Sequence, residues 1–248
     1  MSCSDLADWY LSHRLAVLDT RSATFRRTWR ALVPSGYTVG VCIQRLAETG
    51  RIRSIGRGLY VPVDPVRSTP PIAIASGVFL ETPHYVTTDE ALAHHGLIDQ
   101  PIPRITVVLA HRRQAIRIDQ ATVVRPVTLD EPRVQGADAF DTTVQGFAVR
   151  VASREQAVVD ALTEPRWMVH GDLLPEILAA FSDEELERTA SSILHKTTAA
   201  AQRLGYLIEE AGCEMPDPLD EIQPVRAVKL RPHKRTRGRY STRWRVYG

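Results

Sequence analysis

The sequence predicts an α+β protein in which a small N-terminal unit of helices and one hairpin precedes a larger mixed α/β region rich in helix. Two observations lead to this prediction. Between Thr38 and Val61 the hydrophobic spacing changes from helical to alternating, with glycines at the change. Beyond a proline-rich stretch at residues 62–71, β-branched runs alternate with helical segments and then give way to a long helical stretch.

The first part of that N-terminal stretch, TVGVCIQRLAETG, predicts a short amphipathic helix. Apolar residues at helical spacing are expected to face inward. They are Val39, Ile43, Leu46 and Ala47. The polar and short side chains of the other face are Thr38, Val41, Gln44, Arg45 and Glu48. Gly50 suits the end of the helix because glycine adopts a positive φ without a steric penalty.

A hairpin is predicted directly after this helix. Two strand-like runs, at residues 51–55 and 59–62, flank Gly56-Arg57-Gly58, which has the glycines of a tight loop. Alternation puts Arg51 and Arg53 on the outer side of the first strand, with Arg57 at the tip.

Two more helices are predicted upstream, at residues 4–18 and 21–32, followed by a turn at residues 34–37. The second helix carries Arg26, Arg27 and Arg30 on its polar side. Helix, helix, turn, helix, hairpin is the order of a winged helix-turn-helix, in which the third helix reads DNA and the second crosses its backbone. We therefore predict a DNA-binding domain at residues 1–66, although the arginines of the second helix could equally form a solvated face.

The second predicted domain spans residues 67–248. A helix at 72–80, a strand at 84–87 and a helix at 89–95 capped by Thr88 come first. Strands follow at 105–109, 115–118, 121–127 and 147–152 and predict a mixed sheet. Ser153 and Gln156 read as a capping box that opens a helix at 154–162. Residues 173–211 are predicted to be helical, with breaks near Ser182 and Gly205.

Charge is unevenly distributed along the chain. Basic residues outnumber acidic ones by 10 to 5 in residues 1–67 and by 9 to none in residues 225–248, whereas residues 153–224 have 5 basic and 15 acidic residues. This asymmetry is typical of a protein with a nucleic-acid face and a separate surface for another partner. The basic tail with Tyr240, Trp244 and Tyr247 either contacts DNA at residues 231–245 or ends in a strand that buries Trp244 and Val246.

No enzymatic signature is present in the sequence, and we expect no enzymatic activity and no cofactor. Glu90 and His94 have an i,i+4 spacing, but no further ligand has a recognisable metal-site spacing, so no metal is expected. Cys3, Cys42 and Cys213 are far apart and are expected to be reduced thiols of a cytoplasmic protein. The apolar run at 72–80 is too short to span a bilayer, so no membrane association is expected.

Four runs, taken in order, resemble the AbiEi-type antitoxins of abortive-infection toxin-antitoxin systems. They are CIQRLAETGRIRSIGRGLYVPV, YVTTDEALAHHGL, VASREQAVVDALTEP and TRWRVYG. The resemblance implies a winged helix that represses its own operon by binding inverted repeats, and a C-terminal domain that neutralises a nucleotidyltransferase-like toxin. The DNA-reading positions that it implies are Thr38, Gln44, Arg45, Arg51, Arg53 and Arg57.

The resemblance implies no toxin-contact residue, because the matched C-terminal motifs look structural. Their small and apolar residues, Ala91, Leu92, Gly96, Leu97, Val159 and Leu162, are expected to lie in the core. Two protomers per operator are expected, since two-fold operators bind paired protomers. Two alternatives stay open: a winged-helix regulator whose C-terminal domain senses a small ligand, and a nuclease that docks through the winged helix.

Overall fold

The computed structural model describes residues 3–33, 37–224, 226–232 and 239–248. The helices in those residues are α1 (Cys3–Ser12), α2 (Ala23–Leu32), α3 (Val39–Glu48), α4 (Pro71–Gly77), α5 (Asp89–His94), α6 (Glu131–Gln135), α7 (Arg154–Thr163), α8 (Leu174–Ala179), α9 (Asp183–Leu194), α10 (Thr198–Ala211) and α11 (Asp217–Asp220). The strands are β1 (Leu18–Asp19), β2 (Ile52–Gly56), β3 (Leu59–Pro62), β4 (His84–Thr87), β5 (Arg104–Leu109), β6 (Ile116–Arg117), β7 (Val123–Thr128), β8 (Ala139–Val144), β9 (Phe147–Ala152), β10 (Val228–Lys229), β11 (Tyr240–Ser241) and β12 (Val246–Tyr247).

Helices and three sheets make the chain an α+β protein, as predicted. It divides into two compact units. The first contains Met1–Val86, Pro103–Gly136 and Phe140–Val151, and the second contains Thr87–Ile102, Ala137–Ala139 and Ala152–Gly248. The first unit thus includes residues on both sides of position 66, and a domain boundary at that position remains a prediction.

The N-terminal part of the first unit packs three helices on a small antiparallel sheet of order β1-β3-β2. Leu6 and Tyr10 of α1, Phe25 of α2, and Leu46 of α3 are buried together in its core. The first helix is shorter than the predicted 4–18, because Leu18 is the start of β1 and pairs with Tyr60 of β3. Most of the predicted turn at 34–37 lies outside the described residues.

The second part of the first unit is a six-stranded sheet of order β6-β7-β5-β4-β9-β8. Strands β5 and β7 are parallel, as are β4 and β9, and β6 runs antiparallel to β7. Strand β8 was not predicted from the sequence. All of its residues are half-buried or exposed, so it lacks the buried apolar face that marks a strand in a sequence.

The second unit is mainly helical. Ser153 caps α7 by accepting a hydrogen bond from the Gln156 backbone N–H at 3.1 Å. The predicted reciprocal bond is absent from the described contacts, because the Ser153 N–H donates to the Asp138 carbonyl at 2.8 Å and the Gln156 side-chain oxygen accepts from the Asp138 N–H at 3.4 Å. The break predicted near Ser182 is confirmed, since Ser182 is the N-cap of α9 and forms a full capping box with Glu185.

The predicted break near Gly205 is wrong, because Gly205 lies inside α10. A Cβ at this position would overlap the six-membered ring of Trp244. The glycine is therefore required by tertiary packing rather than by a helix end. The actual break lies just before α10, where Thr197 caps the helix by accepting a hydrogen bond from the Ala200 backbone N–H at 3.1 Å.

The described part of the basic tail packs within the second unit. Trp244 is 1% exposed and Val246 is fully buried, as expected if the tail ends in a strand. Arg243 binds Glu209 at 2.9 Å and Asp220 at 3.0 Å. The basic residues of 233–238 lie outside the described residues.

The helices of the described residues are too short or too polar to cross a bilayer.

Candidate nucleic-acid interface

Helix α3 is fixed at both ends by hydroxyl groups. The side chain of Thr38 accepts a hydrogen bond from the Val41 N–H at 3.3 Å, and Thr49 donates to the Arg45 carbonyl at 2.8 Å. Gly50 then takes a φ of +68°, which turns the chain directly into β2. Helix and hairpin are thereby joined by a connection of three residues.

The inner face of α3 is narrower than predicted. Ile43 and Leu46 are buried as expected, but Val39 and Ala47 are exposed, so their predicted inward orientation is wrong. Cys42 takes the inner position instead and packs near Cys3 of α1. Burial, together with the neighbouring Cys3, raises the pKa of the Cys42 thiol to about 12, so this thiol is an inert core group.

The outer face of α3 combines apolar and charged side chains. Val41 is 53% exposed and lies one turn before Arg45, whose guanidinium has no hydrogen-bond or ion-pair partner among the described residues. Gln44 donates to the Glu48 carboxylate at 2.8 Å along the helix. Exposed aliphatic and arginine side chains on one helix face suit the thymine methyl groups and base edges of a DNA major groove.

The hairpin arginines have different environments. Arg51 forms an ion pair with Asp8 of α1, and Arg53 donates to the backbone carbonyl of Ile118. Arg57, in the loop between β2 and β3, is exposed and has no polar partner within the described residues. Arg57 is thus the hairpin arginine whose charge is most available to an external anion.

Helix α2 is anchored by a carboxylate at its N-terminus. Glu81 accepts hydrogen bonds from the backbone N–H groups of Thr24 at 2.8 Å and Ala23 at 3.0 Å. Burial alone would raise the pKa of Glu81, but these hydrogen bonds outweigh it and lower the pKa below its usual value. Phe25 and Thr28 face the core, which leaves the polar side of the helix to solvent.

The arginines on that polar side of α2 are all exposed. Arg26 donates to the Ser22 carbonyl at 3.4 Å, and Arg27 lies near the Glu81 carboxylate. Arg30 has no polar partner in the part of the chain that the structure describes. Cations without internal partners, such as Arg30, carry charge that can neutralise phosphate.

Sequence analysis missed a second basic segment in the first unit. Arg112, Arg113 and Arg117 are exposed in the loop and short strand after β5, and none of them was predicted as a site residue. The three arginines of HRRQAIR could have indicated this basic segment, because short basic runs often mark anion-binding patches. The sequence analysis predicts only a strand at residues 115–118 in this part of the chain.

The DEALAHHGL and REQAVVDAL motifs of the family resemblance meet in the second unit. Asp160 of REQAVVDAL accepts hydrogen bonds from Thr87 and Gln156, each at 2.7 Å. The Asp89 carboxylate accepts from the backbone N–H groups of Val169 at 2.8 Å and His170 at 2.7 Å. These buried and partly buried bonds identify the motif residues as structural links.

The HHGL segment is part of the same packing. His95 has its Nε2 2.9 Å from the Ala152 carbonyl, and Gly96 ends α5 with a φ of +75°. Ala91, Leu92, Val159 and Leu162 are buried, as predicted, whereas Gly96 is exposed and Leu97 half-buried, so their core assignment is wrong. Among the described residues, no group of three or more His, Cys, Asp or Glu side chains could hold a metal ion.

Comparisons with known proteins inform the fold. No protein-family model matches the chain, and no curated protein sequence matches it. The structure is similar to the crystal structure of the RV2827C protein from Mycobacterium tuberculosis, with a TM-score of 0.63 and 18% sequence identity. That similarity covers 98% of this chain and 90% of the other. At this level of identity, the likeness shows a common fold and carries no functional assignment.

Proposed function

We propose that this chain is a DNA-binding autorepressor and antitoxin of the AbiEi type, acting in the cytoplasm without enzymatic activity or cofactor. Its N-terminal helices and hairpin would form a winged helix-turn-helix, with α3 as the recognition helix and the β2–β3 hairpin as the wing. Two protomers would bind the inverted repeats of one operator. The second unit would supply the surface that neutralises a nucleotidyltransferase-like toxin.

One observation supports DNA binding most strongly. Arg45 and Val41 are exposed on one helix whose other face is buried, and a connection of three residues leads from that helix into a hairpin with the exposed Arg57. The buried face holds the helix in place. Its outer face presents the Arg45 guanidinium and the Val41 side chain to base edges, and Arg57 of the hairpin supplies a cation for phosphate. Arg26, Arg27 and Arg30 add positive charge on α2.

Three single substitutions separate base reading from phosphate binding. Arg45→Ala should reduce the ratio of operator to random-DNA affinity by about 5- to 100-fold, as expected for the loss of a base contact. Arg57→Ala should weaken both affinities together and flatten the salt dependence. Arg188→Ala, which removes the same charge from α9, is the matched control and should change neither. Unchanged operator selectivity in Arg45→Ala would refute the assignment of α3 as the reading helix.

Neutralisation of the toxin is proposed for the acidic surface of the second unit. Several acidic residues there have internal partners, such as Glu185 with Arg154 at 2.7 Å and Glu155 with Arg188 at 2.7 Å. Glu184, by contrast, has an 89% exposed side chain and lies 3.9 Å from Arg188. Exposed carboxylates of this kind suit a basic protein partner.

Toxin neutralisation is best tested in the full chain, because a fragment starting at Ser68 would cut through the first unit. Glu184→Lys should impair rescue of cells from the neighbouring toxin while leaving operator binding intact. Arg188→Glu reverses charge at the same surface in the opposite direction and should not impair rescue. Full rescue by Glu184→Lys and by further charge reversals on this surface would rule out this surface as the neutralising element.

A ligand-responsive regulator is the second candidate function, and a specific observation favours it. The first unit contains a groove of about 680 Å³ lined by arginines and apolar side chains. A regulator with this groove could respond to a small anion.

A further inference from the structure

The groove in the first unit has a strongly basic rim. Five arginines line it, together with the carboxylates of Asp19 and Glu81. The arginines are Arg21, Arg57, Arg112, Arg113 and Arg117. Both carboxylates are already engaged, because Asp19 binds Arg21 at 2.9 Å and Glu81 caps α2. The groove therefore keeps an excess of positive charge that attracts an anion.

Three of these arginines have free guanidinium groups. Arg57, Arg112 and Arg113 make no hydrogen bond or ion pair within the described residues. Arg117 donates to the Gln120 carbonyl at 3.3 Å and is partly occupied. Guanidinium groups from two separate segments can bind several phosphate oxygens at once.

The wall and floor of the groove are different in character from its rim. Leu15, Val17, Ile55 and Phe79 supply apolar surface. Tyr10 also lines the groove; it is 1% exposed, and its hydroxyl has no hydrogen-bond partner among the described residues. Burial and the nearby Glu81 and Asp19 carboxylates raise the pKa of this hydroxyl, so it remains a donor at neutral pH.

We propose that the groove binds a nucleoside phosphate, with its phosphates on Arg57, Arg112 and Arg113 and its base against the apolar wall near Tyr10. A volume of about 680 Å³ is in the range of small-molecule sites. The apolar wall distinguishes this ligand from a DNA backbone, which would contact only the exposed rim.

Binding in the groove also has a consequence for DNA recognition, and this part rests on the proposed function. Arg57 belongs both to the groove and to the proposed wing. The hairpin loop is tied to the groove wall, because Thr20 donates to the Gly58 carbonyl through its backbone N–H at 2.9 Å and its hydroxyl at 3.2 Å. A bound phosphate would compete with DNA for Arg57, and by linkage DNA would weaken nucleotide binding by the same factor.

Calorimetric titration of the full chain with ADP, without DNA, tests the site. We expect measurable binding, at least about tenfold weaker binding of adenosine or of inorganic phosphate alone, and an about tenfold or greater loss in an Arg112→Ala/Arg113→Ala double variant. Arg188→Ala, outside the groove, should bind ADP as the wild type does.

Absence of ADP binding up to about 5 mM, or binding that the double arginine variant leaves unchanged, would overturn the proposal. The arginines of that variant are exposed, so the variant is expected to fold and the result reports on the groove. If ADP binds through the groove but the chain does not bind DNA, the groove stands and the proposed repressor function fails. If both bind, saturating ADP should weaken operator binding by the wild type and not by Arg57→Ala; equal weakening of the two would overturn the competition for Arg57.

Discussion

Substitution of Gly205 by alanine tests how the C-terminal end of the chain packs. The added Cβ would overlap Cη2, Cζ2 and Cζ3 of Trp244, well inside the about 3.5–4.0 Å of ordinary carbon contact. The ring cannot retreat easily, since Trp244 is almost fully buried and its carbonyl accepts a hydrogen bond from Gln202 at 2.7 Å. Overpacking of a filled core costs about 1–3 kcal/mol, and partial expulsion of a tryptophan costs more.

Helix propensity acts in the opposite direction. Alanine in a helix interior is favoured over glycine by about 1 kcal/mol. Because the Trp244 ring cannot retreat easily, we take the upper end of the overpacking cost and expect a net loss of about 2 kcal/mol in the free energy of unfolding. In a chain of this size that corresponds to a fall of about 4–8 °C in Tm. Urea and thermal unfolding followed by circular dichroism measure both quantities.

Two variants make the result specific. Gly40→Ala on the exposed face of α3 has nothing within 4 Å of the new Cβ and should be neutral or stabilising by up to about 1 kcal/mol. In a Trp244→Ala background, Gly205→Ala should lose most of its cost, because the colliding ring is gone. A Gly205→Ala variant that is as stable as wild type would refute the packing of Trp244 on α10.

Two further predictions concern the proposed reading helix and a buried carboxyl group. If Val41 contacts a thymine methyl, replacing that thymine of the operator by uracil should weaken DNA binding by the wild type about fourfold and leave DNA binding by Val41→Ala unaffected. Fluorescence anisotropy measures both affinities. If wild type and Val41→Ala lose the same affinity at every thymine replaced, this contact is excluded. Burial and then the Asp89 charge raise the pKa of Glu90 from 4.5 to about 7. The folded state therefore binds the Glu90 proton more tightly than the unfolded state, and stability falls as pH rises from about 4.5 to about 7. Glu90→Gln should remove this pH-dependent loss of stability. In urea titrations its free energy of unfolding should exceed that of wild type by up to about 3 kcal/mol at pH 8 and by little at pH 4. An equal difference at the two pH values would contradict the raised pKa of Glu90.

Local sequence signals predicted the elements whose residues decide their own structure. Strands β4 and β9 begin and end where predicted, and Gly50 turns α3 into β2 as expected. The inner face of α3 was misassigned because Cys42, omitted from the predicted stripe, faces α1 in place of Val39 and Ala47. Helical spacing restricts the possible faces, but the packing partner selects among them.

Features that depend on distant residues could not be predicted. The partner of Arg51 lies 43 positions away in sequence, and the carbonyl that accepts from Arg53 lies 65 positions away. Nothing near either arginine indicates these bonds. Gly205 was misread for the same reason, since glycine locally favours a helix end and only Trp244 explains its place in α10.

The most direct test of the central claim is a salt titration of full-length protein binding to the DNA upstream of its own gene, compared with a scrambled sequence. We expect selective binding by two protomers, with a slope of log K against log salt of about −5 to −9 if three to five arginines of each protomer neutralise phosphates. Salt-steep binding without selectivity, or no binding, would contradict the assignment of α3 and the β2–β3 hairpin as a DNA-reading element.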